Sequence, residues 1–90
     1  MQHDPYSAFT IAFIARTKQL REASGRTQEE TAIALGLPLG TYRKYEKRSA
    51  MPLYLLDRFV TIVQGDLVFL ITGREPKVKR RSRAPETRDK

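Results

Sequence analysis

Apolar residues recur along this chain at spacings of three and four, and no useful length of it alternates apolar with polar positions, so its segments read as helices. Turn residues divide them. Asp4-Pro5 opens a first segment that Gly25 closes, Gly36 closes a second, the stretch from Ala50 to Pro52 ends a third, and Gly65-Asp66 and Gly73 bracket a short last one. The pattern predicts five helices packed as an all-α domain. In the first, Phe9, Ala12, Phe13, Arg16, Leu20 and Ala23 share one face at about 100° per residue, while Ile11 and Ile14 fall outside it. Those two isoleucines are expected either under the chain's own N-terminus or against a second subunit.

The second helix starts at Thr27, which has Glu30 three residues on as a capping box, and it turns Thr31, Ala32 and Leu35 inward. Gly36 ends it, and Leu37 turns back to the core. The third is expected from Pro38 or Leu39 to Arg48, with Tyr42 and Tyr45 inward and Gly40, Lys44 and Lys47 outward, flanked by Arg43 and Arg48. Leu67, Val68, Phe69, Leu70 and Ile71 are more apolar than one short helix needs, which marks Leu67, Val68, Phe69 and Ile71 as a dimer surface.

Ninety residues allow one small core. The chain has no cysteine, which removes disulfides, thiolate nucleophiles and cysteine-based zinc sites. The nearly apolar runs around Ala8–Ala15 and Leu67–Ile71 are too short to span a bilayer, and no basic n-region precedes the first, so a soluble cytoplasmic protein without a membrane partner is expected. Charge narrows the function. Seventeen basic residues against ten acidic ones give +7, of which +5 lies in residues 74–90. That segment, with two prolines and almost nothing apolar, reads as a disordered basic tail after a domain spanning residues 1–73. Within the domain, Arg43, Lys44, Lys47 and Arg48 crowd the third helix, the kind of stripe that suits a phosphate backbone.

The run Thr27-Gln28-Glu29-Glu30-Thr31-Ala32-Ile33-Ala34-Leu35-Gly36-Leu37, followed by Thr41-Tyr42-Arg43-Lys44-Tyr45-Glu46 and Pro52, resembles the helix-turn-helix family of phage Cro proteins and lambda-type repressors, over about residues 13–73. The resemblance implies that Gln28 opens the second helix, Ala32 packs it against the third, Gly36 makes the turn and Glu46 ends the third helix's inner face. It also implies a partly buried ion pair between Arg21 and Glu46, and a fifth helix capped by Asp66 that contributes to dimer contacts. By the same resemblance, Thr27, Gln28, Pro38, Leu39, Gly40, Thr41, Arg43, Lys44, Lys47 and Arg48 would face DNA.

Four of those positions depart from the family pattern. The family prefers serine or threonine at Pro38, glycine near Arg48, and polar side chains at Leu39 and Gly40. Gly40 offers nothing to a base edge and Leu39 only apolar contact, and the third helix carries no asparagine or glutamine for adenine. Readout then falls to guanine through Arg43 or Lys44.

The expected function is a sequence-specific DNA-binding transcriptional regulator, a small repressor that binds an inverted-repeat operator in double-stranded DNA as a homodimer. A second reading keeps the fold as a protein-interaction module, an antitoxin or antiactivator, with Ile11, Ile14 and Leu39-Gly40 facing a protein partner. An enzyme is not expected. The only histidine is His3 near the terminus, no carboxylate pair accompanies a nucleophile, and Glu29 and Glu30 are explained by the dipole of the helix they start. No metal-ligand spacing or glycine-rich phosphate loop implies a metal or cofactor.

Overall fold

The computed structural model describes residues 8–75, and all regular structure among them is helical. The elements are α1 (Ala8–Ser24), α2 (Gln28–Leu35), α3 (Leu39–Tyr45), α4 (Leu53–Val63) and α5 (Leu67–Thr72). The expectations for Asp4-Pro5 and for the basic tail beyond Glu75 fall outside the described residues.

α4 is the central element. Leu55, Leu56, Phe59 and Val63 are buried along one stripe, and α1, α2 and α5 all pack against it. Phe13, Ala32, Leu35, Tyr42, Met51 and Leu70 complete the core, in which the Tyr42 and Phe59 rings lie 6.5 Å apart, centre to centre. Ala32 leaves room for the α2 backbone to approach its neighbours closely. Met51 fills the gap where the chain passes between α3 and α4.

Local signals set the ends of α2. The Thr27 hydroxyl accepts from the Glu30 amide while the Glu30 carboxylate accepts from the Thr27 amide, so both halves of the capping box form. At the other end Gly36 takes φ 76°, the Leu37 amide donates to Ala32 and the Gly36 amide to Ile33, closing a Schellman turn. Only glycine holds that left-handed conformation without strain. At Gly65 the demand is space. A Cβ there would stand 3.0 Å from the Leu20 Cδ1, because the turn between α4 and α5 presses on α1.

Two helices differ from expectation. The buried stripe of α1 is Thr10, Phe13, Ile14 and Thr17, whereas Phe9 and Ala23 are exposed and Ala12, Arg16 and Leu20 are half-buried. The face is therefore rotated, and Ile14 belongs to the core side. Threonine accounts for the error: the Thr17 hydroxyl donates to the Phe13 carbonyl at 3.0 Å, so this polar residue is buried with its hydrogen bond made. α3 ends at Tyr45 rather than Arg48. The Lys44 carbonyl accepts from the amides of Lys47, Arg48 and Ser49, which gathers the chain into a turn there.

Arginines tie the remaining helix ends. Arg16 donates to the carbonyls of Leu70 and Ile71, both at 2.9 Å, and thereby satisfies the C-terminal end of α5 from α1. Arg26 does the same for α4 through the Ile62 carbonyl at 3.0 Å. The Asp66 carboxylate caps α5 by accepting from the Phe69 amide.

Candidate nucleic-acid interface

Glu46, just past the end of α3, is the acceptor on which three helices converge. Its Oε2 accepts from Arg21 Nε at 2.7 Å and from the Tyr42 hydroxyl, and its Oε1 accepts from Arg21 Nη2 at 3.0 Å and Gln28 Nε2 at 3.0 Å. The Glu46 side chain is 2% exposed and that of Arg21 12%. Arg21 spends its remaining reach on the Arg26 carbonyl, 2.9 Å from Nη1. Every carboxylate oxygen thus has two donors, the condition under which a buried charge is tolerated.

The titration of the three groups follows from this geometry. Burial pushes the Glu46 carboxyl up, but the hydrogen bonds from Arg21, Tyr42 and Gln28 outweigh it and leave the group below its ordinary value. Burial, followed by the bond to the Glu46 carboxylate, drives the Tyr42 phenol well above its usual range. The bond to Glu46 raises Arg21.

Around this hub the residues expected to face DNA separate into four groups, Gln28 standing by itself. Pro38, Gly40, Arg43, Lys44, Lys47 and Arg48 are exposed on α3 and its flanking turns. Thr27 is exposed, with its hydroxyl already serving as the α2 cap. Thr41 and Leu39 are half-buried, and Leu39 packs against the core, so its apolar surface is partly withdrawn from any outside contact.

Gln28 is held between the hub and Arg43, whose Nε stands 3.4 Å from Gln28 Oε1, a long and weak contact. Arg43 accordingly lies toward Lys47 and the start of α2. Lys18, Gln28, Arg43, Glu46 and Lys47 line an open cleft of about 420 Å3. Lys18 was not among the expected site residues. It lies on α1, and nothing in its local sequence marks it; only the tertiary fold brings its side chain to the same opening as those of Gln28, Arg43 and Lys47.

On α5, Leu70 is fully buried, Leu67 and Val68 are 41% and 53% exposed, and Phe69 and Ile71 are half-buried with Ile71 packed on the core. The outward pair is Leu67 and Val68. Ile71 packs on the domain's own core, and of the pair Val68 and Phe69 it is Val68 that is the more exposed. On α1, Ile11 is exposed while Ile14 is not, so the alternative apolar surface keeps one of its two isoleucines.

No family model, curated protein or solved structure matches this chain. Among the described residues no three His, Cys, Asp or Glu side chains come together, and no helix is long and apolar enough to cross a membrane.

Proposed function

We propose that this protein is a sequence-specific DNA-binding transcriptional regulator of the helix-turn-helix, phage-repressor type. It acts as a small repressor, binding an inverted-repeat operator as a homodimer. One observation carries the reading: the positive charge of the domain is sorted. Arg16, Arg21 and Arg26 bond to backbone carbonyls or the Glu46 carboxylate, and Lys18, Arg58 and Arg74 are exposed elsewhere, while Arg43, Lys44, Lys47 and Arg48 stand exposed together on α3 and the turn after it. Helix ends and ion pairs explain the first three. Arg43 and Lys44 also lie in the last turn of α3, where the helix dipole favours a cation, but four cations gathered on one face exceed that need, and such a cluster suits a phosphate backbone.

In this reading α3 enters the major groove and the start of α2 approaches the backbone. Lys44, in the middle of the exposed face, reads a base edge, and Arg43 and Lys47 lie nearer the phosphates. Exposed Leu67 and Val68 on α5 supply the dimer contact. Occupancy of a promoter then blocks transcription. Selection of bound duplexes from random DNA tests this reading in one experiment: an inverted repeat with a guanine in each half-site is expected, and recovery of no preferred sequence would overturn it.

A protein-interaction module on the same fold is the second reading, supported by the exposed Ile11, Ile33, Leu53 and Tyr54. Its mark would be duplex binding without base preference, together with a co-purifying protein.

A further inference from the structure

The cleft beside the Glu46 hub gathers side chains from three helices and the turn after α3: Lys18 from α1, Gln28 from α2, Arg43 from α3, and Glu46 and Lys47. Its one acid is Glu46, whose charge is already matched by the two bonds from Arg21. Three cations therefore line the cleft with no unmatched acid among its lining residues. Like charges around one opening repel, so an anion seated between them would be favoured.

The orientation of Gln28 adds a second constraint. An ionised carboxylate only accepts hydrogen bonds, so the amide nitrogen of Gln28 has to face Glu46, and its bond to Oε1 at 3.0 Å fixes the group. The amide oxygen is left toward Arg43. An acceptor in that position orients a guanidinium and offers nothing to a phosphate oxygen.

We infer that the cleft seats one phosphate of the DNA backbone between the Lys18 ammonium, the Arg43 guanidinium and the Lys47 ammonium, and that Gln28 positions Arg43 rather than touching the duplex. This rests on the DNA-binding reading and adds to it a contact from α1. It also assigns Gln28 a different task from the direct DNA contact expected from sequence. The hub then reaches the clamp by hydrogen bonds from Arg21 through Glu46 to Gln28 and by the longer 3.4 Å contact from Gln28 to Arg43.

The test uses the full chain and duplex DNA, with affinities measured at several salt concentrations. Lys18→Gln is expected to leave the denaturant midpoint unchanged and to make the slope of log affinity against log salt shallower by about 0.9, the signature of one lost phosphate contact. Gln28→Ala is expected to weaken binding in the parent chain and to add no further loss in an Arg43→Ala background. An unchanged salt slope for Lys18→Gln overturns the phosphate seat. A full additional loss from Gln28→Ala in the Arg43→Ala background overturns the positioning role, since Gln28 would then contact DNA itself. If the parent chain binds no duplex at any salt concentration, the DNA-binding reading fails and the seat fails with it; a parent chain that binds while Lys18→Gln behaves identically leaves that reading standing and removes the seat alone.

Discussion

Arg21 and Glu46 are 25 residues apart in the chain, and the guanidinium of one grips both carboxylate oxygens of the other, at 2.7 and 3.0 Å. The pair joins the last turn of α1 to the end of α3, and Gln28 and Tyr42 close round it from α2 and α3. Desolvation makes such a pair a modest source of net stability and a strong constraint on geometry. It sets how α3 lies against the rest of the domain, and therefore where Arg43, Lys44 and Lys47 are displayed.

Breaking the pair from one side leaves a buried carboxylate without its main donor. Arg21→Ala is expected to cost about 3 kcal/mol, whereas Lys18→Ala, an exposed residue of the same helix, is expected to fall within about 0.5 kcal/mol of the parent chain. Urea midpoints at constant m-value measure both. Equal midpoints would contradict the buried pair.

Acid and alkali should both weaken the hub, each through a different group. Glu46 titrates below its ordinary value in the folded chain, so its contribution is present above pH 4.5 and is lost as pH falls through the depressed folded value. Tyr42 titrates above its ordinary value of 10.0, so its contribution holds below pH 10.0 and declines as pH rises beyond it. Melting temperature against pH should show a plateau between these limits. Glu46→Gln should flatten the acid limb and Tyr42→Phe the alkaline one.

Gly36 is required by conformation and not by space, since a Cβ there meets nothing within 4 Å. Gly36→Ala is therefore expected to cost about 1 to 2 kcal/mol through its positive φ alone. Gly40→Ala, on α3 with nothing near and no positive φ, is expected to be neutral or slightly stabilising. Thermal unfolding of the two variants side by side makes the comparison.

Dimerisation through α5 should be most sensitive at Val68, the more exposed of Val68 and Phe69. Val68→Arg is expected to give a folded monomer by sedimentation and circular dichroism, while Phe69→Arg, at a half-buried position, should lower stability as well. A dimer undisturbed by Val68→Arg would move the interface to another face, with exposed Ile11 the next position to test.

Reading and positioning should divide between neighbouring residues of α3. Lys44→Ala is expected to relax the preference for guanine and to cost about 1 to 3 kcal/mol on the specific duplex. Arg43→Ala should weaken specific and scrambled duplexes alike, with a shallower salt dependence. Titrations against both duplexes at several salt concentrations distinguish the two. If neither variant changes affinity for any duplex, the protein-interaction reading takes precedence.

Local chemistry was legible along the chain. The Thr27–Glu30 capping box, the Gly36 stop, the inward face of α2 and the five-helix order depend on neighbours within a few residues, so residue type and spacing determined them. The pairing of Arg21 with Glu46 was expected from the family resemblance, and the structure supplies its bidentate form and its further donors. The buried face of α1 was misread because Thr10 and Thr17 count as polar in any pattern, although a threonine whose hydroxyl bonds within its own helix can be buried without penalty. The end of α3 was misread because one carbonyl, that of Lys44, gathers three amides. Tertiary structure decided which distant partners the arginines meet. Arg16 and Arg26 give no sign in the sequence of the carbonyls that hold them, which lie more than thirty residues away, on Leu70, Ile71 and Ile62. Lys18 reaches the cleft only through the tertiary fold, which sets its side chain at the same opening as those of Gln28, Arg43 and Lys47. A side chain's local sequence sets its charge, but the partners it meets across the fold decide whether that group is tied to the domain itself or left for another molecule.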